Sequence, residues 1–198
     1  MRKKEILEFT SFPHGEKEHV ISVLEQTKNA LTSSDVFKLK ELSNQTIHTA
    51  STEQDTDSIT LAILIYSLSK VVERKYQYEK ACTGFCKYSM RAIERAVEAL
   101  KNDDGEKFRR CLQEIVDSIN RFSGDFKADI EDVFRKARIN KASRIYEHGI
   151  SMEQTAKLLG VSMYDLASYA GQRGVPGTPL AKTISAKERI KIAMDFFR

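Results

Sequence analysis

Proline and glycine are scarce: three and nine among 198 residues, gathered most densely near residues 171–179. That scarcity favours long helices. Cysteine is as rare as proline, and an odd count of three argues against a secreted disulfide framework. Long apolar runs are absent. The most apolar stretch, Ile59 to Val72, is too short to cross a bilayer and contains Tyr66, Ser67, Ser69 and Lys70. The opening MRKKEILEF is charged and leads into no apolar run, so no secretory leader is expected and the expected location is the cytoplasm. Period-two alternation is missing over any useful length, and an all-α fold follows. Missing too are a phosphate-cradling glycine loop, a Gly-x-Ser-x-Gly elbow and a His-Glu-x-x-His pair. With no enzyme signature competing, the reading is of a non-enzymatic protein, with no cofactor and no metal.

What is present is helical periodicity. Hydrophobic residues at 41% and charged residues at 30% describe a foldable chain rather than a disordered one. Residues 1–15 read as a lead segment broken by Pro13 and Gly15. From Glu16, Val20, Leu24, Thr27 and Leu31 fall three or four apart. Ser33 or Ser34 can cap a second helix carrying Leu39, Leu42, Ile47 and Ala50, with a loop expected near residues 51–57. A helix starting at Asp57 or Ser58 is apolar on nearly every face and belongs in the middle of a bundle. Tyr76 to Lys101 forms the next, then a turn at Asn102 to Gly105, then a helix carrying Phe108, Cys111, Leu112, Ile115, Ile119 and Phe122. Another, from Asp125 towards His148, shows Ile130, Val133, Phe134 and Ala137 on one side. The expected organisation is a lead segment over 1–15, a helical bundle over 16–124, and a helix-turn-helix region over 125–198 that ends in an amphipathic helix with Ile190, Ala193, Met194 and Phe197.

The run from Ser151 to Gln172, SMEQTAKLLGVSMYDLASYAGQ, carries the helix-turn-helix pattern. Ser151 can cap a short helix, with Gln154 three residues on. Ala156 suits a close helix crossing, and Gly160 supplies a permissive backbone where the chain leaves that helix. Val161 can plug the corner. Ser162 caps a second helix with Asp165 in its first turn, and Leu166 and Tyr169 can point back at the first helix. Tyr164, Ser168 and Gln172 are then the outward-facing residues of the second helix, of a chemistry that can donate to phosphates or base edges.

Charge is distributed unevenly. Residues 135–198 hold 12 Lys/Arg against 5 Asp/Glu, whereas the remainder holds 20 against 23. A basic end favours a polyanion partner. Arg135, Lys136, Arg138, Lys141 and Arg144 precede the hairpin on one helix and can reach phosphates beside it, and Arg173 follows it. The expected partner is double-stranded DNA, bound by a homodimer, with RNA possible. A hairpin that docks another protein, and an RNA- or ribosome-associated factor, are the alternatives.

Two other constellations are weaker. Cys82 and Cys86 share a helix face, but no histidine lies near them in sequence, so packing is the expected role. His48 in a helical bundle invites comparison with the HEPN ribonucleases, in which four to six residues separate an arginine from a histidine. Glu41, Leu42 and Ser43 stand where that arginine belongs, so the resemblance fails at its defining position.

The run GISMEQTAKLLGVSMYDLASYAGQRGVP resembles a family of small prokaryotic antitoxins paired with PIN-domain toxins. The matching residues are Ser151, Ala156, Gly160, Ser162, Leu166, Arg173, Gly174, Val175 and Pro176. This resemblance implies a bacterial or archaeal source and a role in binding DNA or a toxin. It leaves the larger helical part of the chain unaccounted for. The expected function is a DNA-binding transcriptional regulator or antitoxin-like factor.

Overall fold

The computed structural model describes residues 14–53, 56–147 and 150–172. Expectations about residues 1–13 of the lead segment, Arg173, the glycine- and proline-containing stretch after it and the C-terminal amphipathic helix lie outside the described residues, whereas His14 and Gly15, expected to end the lead segment, instead open the first helix. Among the described residues the protein is all-α. The helices are α1 (His14–Ser33), α2 (Val36–Glu53), α3 (Thr56–Glu73), α4 (Glu79–Lys101), α5 (Gly105–Asp117), α6 (Gly124–Glu147), α7 (Met152–Leu159) and α8 (Met163–Gln172), with a 3-10 turn over Ser118–Arg121. No described helix is long and apolar enough to cross a membrane.

The corners show why the chain turns where it does. Ser34 adopts a left-handed φ of 55°, and Asp35, not either serine, caps α2 by accepting the Lys38 N–H at 2.9 Å. At the α4–α5 corner Asp103 takes a left-handed φ of 56°, a conformation that aspartate tolerates. Asp104 then caps α5 by accepting the Lys107 N–H at 2.9 Å. Lys17 of α1 ties to the same corner through an ion pair with Asp103 at 2.6 Å.

The chain divides into two compact units, residues 1–141 and 142–198. The break falls inside α6, seventeen residues beyond the 124/125 boundary expected from composition. In the first unit α2 lies along α3, α4 along α5, and α1 packs on α2, α3 and α4. Helix α3 is the most apolar and buries Ile59, Leu61, Ala62, Leu64, Ile65, Leu68, Val71 and Val72. The shared core also takes in Phe126, Ile130 and Phe134 from the first part of α6. Edge-on ring contacts join these elements: Tyr78 with Phe126 at 5.4 Å, Phe126 with Phe122 at 5.0 Å and Phe122 with Phe85 at 6.1 Å. That stacking is the physical reason the bundle continues past Gly124.

Within the core, serine and threonine hydroxyls are satisfied locally. Thr27 donates to the Val23 carbonyl at 2.7 Å, Ser89 to Phe85 at 2.8 Å, and Ser43 reaches from α2 to the Ala62 carbonyl of α3 at 2.6 Å. The α2–α3 pairing is also held outside the core, where Glu73 accepts ion pairs from Lys40 and, at 2.8 Å, from Lys70.

Candidate functional site

Helices α7 and α8 form a hairpin built from its caps inward. The Ser151 hydroxyl accepts the Gln154 N–H at 3.2 Å and starts α7. The helix stops at Gly160, whose φ of 61° and ψ of 35° lie in the left-handed region. The Gly160 and Val161 N–H groups both turn back to the Ala156 carbonyl, the latter at 3.1 Å. Two residues later Ser162 starts α8: its hydroxyl accepts the Asp165 N–H at 2.9 Å and donates to the Asp165 carboxylate at 2.8 Å. Asp165 thus serves the helix start.

Ala156, Leu159, Leu166 and Ala170 are buried, and α7 packs on α8. The opposite face of α8 is open. Tyr164, 82% exposed, Ser168 and Gly171 follow one another at helical spacing, with Ala167 and Gln172 exposed beside them. Met163 adds a half-exposed thioether at the start of the helix. The outward positions expected of Tyr164, Ser168 and Gln172 are therefore the positions they occupy.

The basic residues of α6 are placed less favourably than the sequence suggests. Lys141 is fully buried: its Nζ donates to the Asn44 side-chain oxygen at 3.0 Å and lies 4.6 Å from the Tyr66 ring centroid. It is removed from any surface a phosphate could reach. Ile130, Phe134, Ala137 and Lys141 recur at four, three and four residues along one stripe of α6, and that stripe faces the core. Arg135 and Lys136 are exposed, but both pair with Asp132, at 2.6 and 2.7 Å. Hydrogen bonds from Lys136 and then Arg135 hold the Asp132 carboxyl below its ordinary range. Arg144 is half-buried and pairs with Glu147 at 3.0 Å. Arg138 is exposed and has no carboxylate partner among the described residues. Residues 150–172 themselves carry Lys157 against Glu153 and Asp165. The positive balance at this end therefore rests on Arg138 and on residues 173–198, which hold six Lys/Arg and two Asp/Glu.

The cysteines do not form a reactive site. All three are free, and burial raises each thiol, that of Cys86 to about 11, the opposite of what an activated nucleophile or metal thiolate requires. Cys82 donates weakly to the Val71 carbonyl, with 3.5 Å between sulfur and oxygen. Among the described residues no group of three His, Cys, Asp or Glu side chains is placed to hold a metal ion. His48 falls in α2, and its side chain lies outside the described residues.

No protein-family description, no curated protein and no solved structure matches this chain.

Proposed function

We propose that the protein is a non-enzymatic DNA-binding factor in which α7 and α8 act as a helix-turn-helix and α8 enters the major groove. The observation that carries this reading is the hairpin itself. A three-residue corner, Gly160-Val161-Ser162, joins two capped helices, and α8 buries Leu166 and Ala170 while presenting Tyr164 and Ser168. Ala167 and Gly171 on the exposed side leave its backbone free to approach a groove floor. The resemblance of this run to small prokaryotic antitoxins supports the same reading, as a transcriptional regulator or antitoxin-like factor. A homodimer would set two copies of α8 about 34 Å apart, one duplex turn.

On this reading the phosphate contacts would come from Arg138 and from the cations of residues 173–198, Arg173 among them, rather than from the buried Lys141. Selection of bound duplexes from a random pool by the full chain tests the proposal. Enrichment of a (pseudo)palindromic sequence is expected. Recovery of an unenriched pool contradicts sequence-specific binding.

A second reading has its own support. Met163 and Tyr164 expose apolar surface at the start of α8, and Asp165 is the only charge of that helix. A hairpin of this kind can dock a protein such as a toxin, and co-purification of one stoichiometric protein with no duplex enrichment would favour it.

A further inference from the structure

The bundle holds a feature that the hairpin reading does not use. Between the end of α1, the end of α3 and the first half of α4 lies a half-open cavity of about 180 Å³. Its floor is apolar: Leu31, Val72 and Cys82 are buried, and Cys86 and Met90 complete it. Its rim carries two cations, Lys75 and Lys87, beside the hydroxyl residues Thr32, Ser34 and Thr83, and among the described residues no acidic side chain lines it. Neither lysine is ion-paired among the described residues. Lys75 only donates to the Ser34 hydroxyl at 3.3 Å, whereas most other lysines of the bundle, such as Lys17, Lys28, Lys40 and Lys101, have carboxylate partners.

We propose that this cavity binds a small monocarboxylate with an apolar tail. The carboxylate would sit between the Lys75 and Lys87 ammonium groups, and the tail would cover Leu31, Val72 and Met90. Size sets the tail. A closed apolar cavity of about 150 Å³ is enough for benzene, so this space takes a molecule of about eight heavy atoms, such as hexanoate. Charge sets the head, because two cations at the mouth of an apolar cleft are stabilised by an anion and gain nothing from a neutral ligand. The floor separates a carboxylic acid from inorganic phosphate, which leaves the apolar surface uncovered. The flexible Met90 side chain can adapt to the tail. Burial keeps the Cys86 thiol in its neutral form, so it adds no negative charge that would repel the head.

The inference is independent of DNA binding and stands or falls by direct titration. Calorimetry on the full chain with sodium hexanoate is expected to show saturable one-to-one binding. 1-Hexanol and inorganic phosphate should each bind at least about tenfold more weakly. Replacing Lys75→Gln together with Lys87→Gln should weaken hexanoate by about tenfold and leave hexanol unchanged. In the unmodified chain hexanoate should also shift the methyl NMR signal of Met90, which reports occupancy of the floor without any substitution. The proposal is overturned if no saturable binding occurs, if hexanol or phosphate binds as tightly as hexanoate, or if binding leaves the Met90 signal in place. Unchanged affinity in the double lysine variant, with melting behaviour intact, overturns it equally.

Discussion

Lys141 and Arg138 stand three residues apart on α6 and have different work to do. A lysine with its ammonium on Asn44 and its charge over Tyr66 is part of the fold, and removing it leaves polar and aromatic groups without that partner. Lys141→Gln should lower unfolding free energy by about 1–3 kcal/mol, read as a fall in the urea midpoint at unchanged m. Arg138→Gln should stay within about 0.5 kcal/mol of the unmodified chain. Only Arg138 should alter the salt dependence of DNA binding, flattening the slope of log affinity against log salt by about 0.9 if it contacts one phosphate. Equal stability of the two variants would return Lys141 to the surface. Thr155 presents the reverse case. Its hydroxyl is buried in α7 and has no hydrogen-bond partner among the described residues, so Thr155→Val should leave stability unchanged or raise it by up to about 1 kcal/mol. A melting temperature several degrees lower would mean that the hydroxyl is paired.

Glu73 links residue chemistry to pH. Burial pushes its carboxyl up, but the hydrogen bonds from Lys40 and Lys70 outweigh that and leave it below its ordinary value near 4.5. The unfolded chain therefore takes up the proton first as pH falls. Stability from this group is fully present above the ordinary carboxylate range and is lost as pH drops through the lowered folded-state value. Acid titration of the melting temperature should show a shallower decline below about pH 4.5 in Glu73→Gln than in the unmodified chain. An identical decline in both would mean that the ion pairs contribute nothing at this site.

At the scale of elements, Gly160 decides whether the hairpin closes. Apart from Gly160 and its two chain neighbours, no described residue has an atom within 4 Å of where a Cβ would stand, so a side chain there meets open space and the cost comes from φ of +61°. Gly160→Ala should cost about 1–2 kcal/mol, less than a clash would. Hydrogen exchange should show it: amides of α7 and α8 should exchange about tenfold faster, while those of α3 keep their protection. Uniform loss of protection across both would place Gly160 in a larger cooperative unit. This corner was legible in the sequence because capping is local chemistry: Ser151, Gly160 and Ser162 act on neighbours within four residues. The first corner was legible only in part, since Ser33, Ser34 and Asp35 are all cap formers and only the left-handed turn at Ser34 selects Asp35. Likewise Ile119 and Phe122 keep the apolar pattern of α5, although the helix gives way to a 3-10 turn at Ser118.

For the whole molecule, periodicity was enough to place the apolar α3 at the centre of the bundle, because a helix apolar on most faces has no other stable position. Composition placed the end of the bundle at Gly124, and that is where local reasoning ran out. The Phe122–Phe126 contact and the burial of Ile130 and Phe134 are tertiary, and they carry the first unit on to Lys141. A fragment of residues 1–141 should therefore unfold in one cooperative transition. A fragment of residues 16–122, which loses Phe126, Ile130 and Phe134, should melt broadly or not at all. A sharp transition in the shorter fragment would show that α6 only decorates the bundle. Charge counting ran out for the same reason. It registered the five cations from Arg135 to Arg144, yet could not show that Lys141 is inside or that Asp132 and Glu147 pair with three of the others.

The central claim is that the exposed face of α8 reads DNA, and one comparison tests it most directly. Tyr164→Ala with Ser168→Ala in the full chain should leave the melting temperature almost unchanged, because both side chains point away from the hairpin core. Affinity is measured at fixed salt for the duplex enriched by the unmodified chain and for a scrambled duplex of equal length. The expected result is a fall of about tenfold or more in the ratio of the two affinities, with scrambled-duplex binding and its salt slope preserved. An unchanged ratio in a fully folded double variant contradicts the claim and removes α8 from the DNA interface.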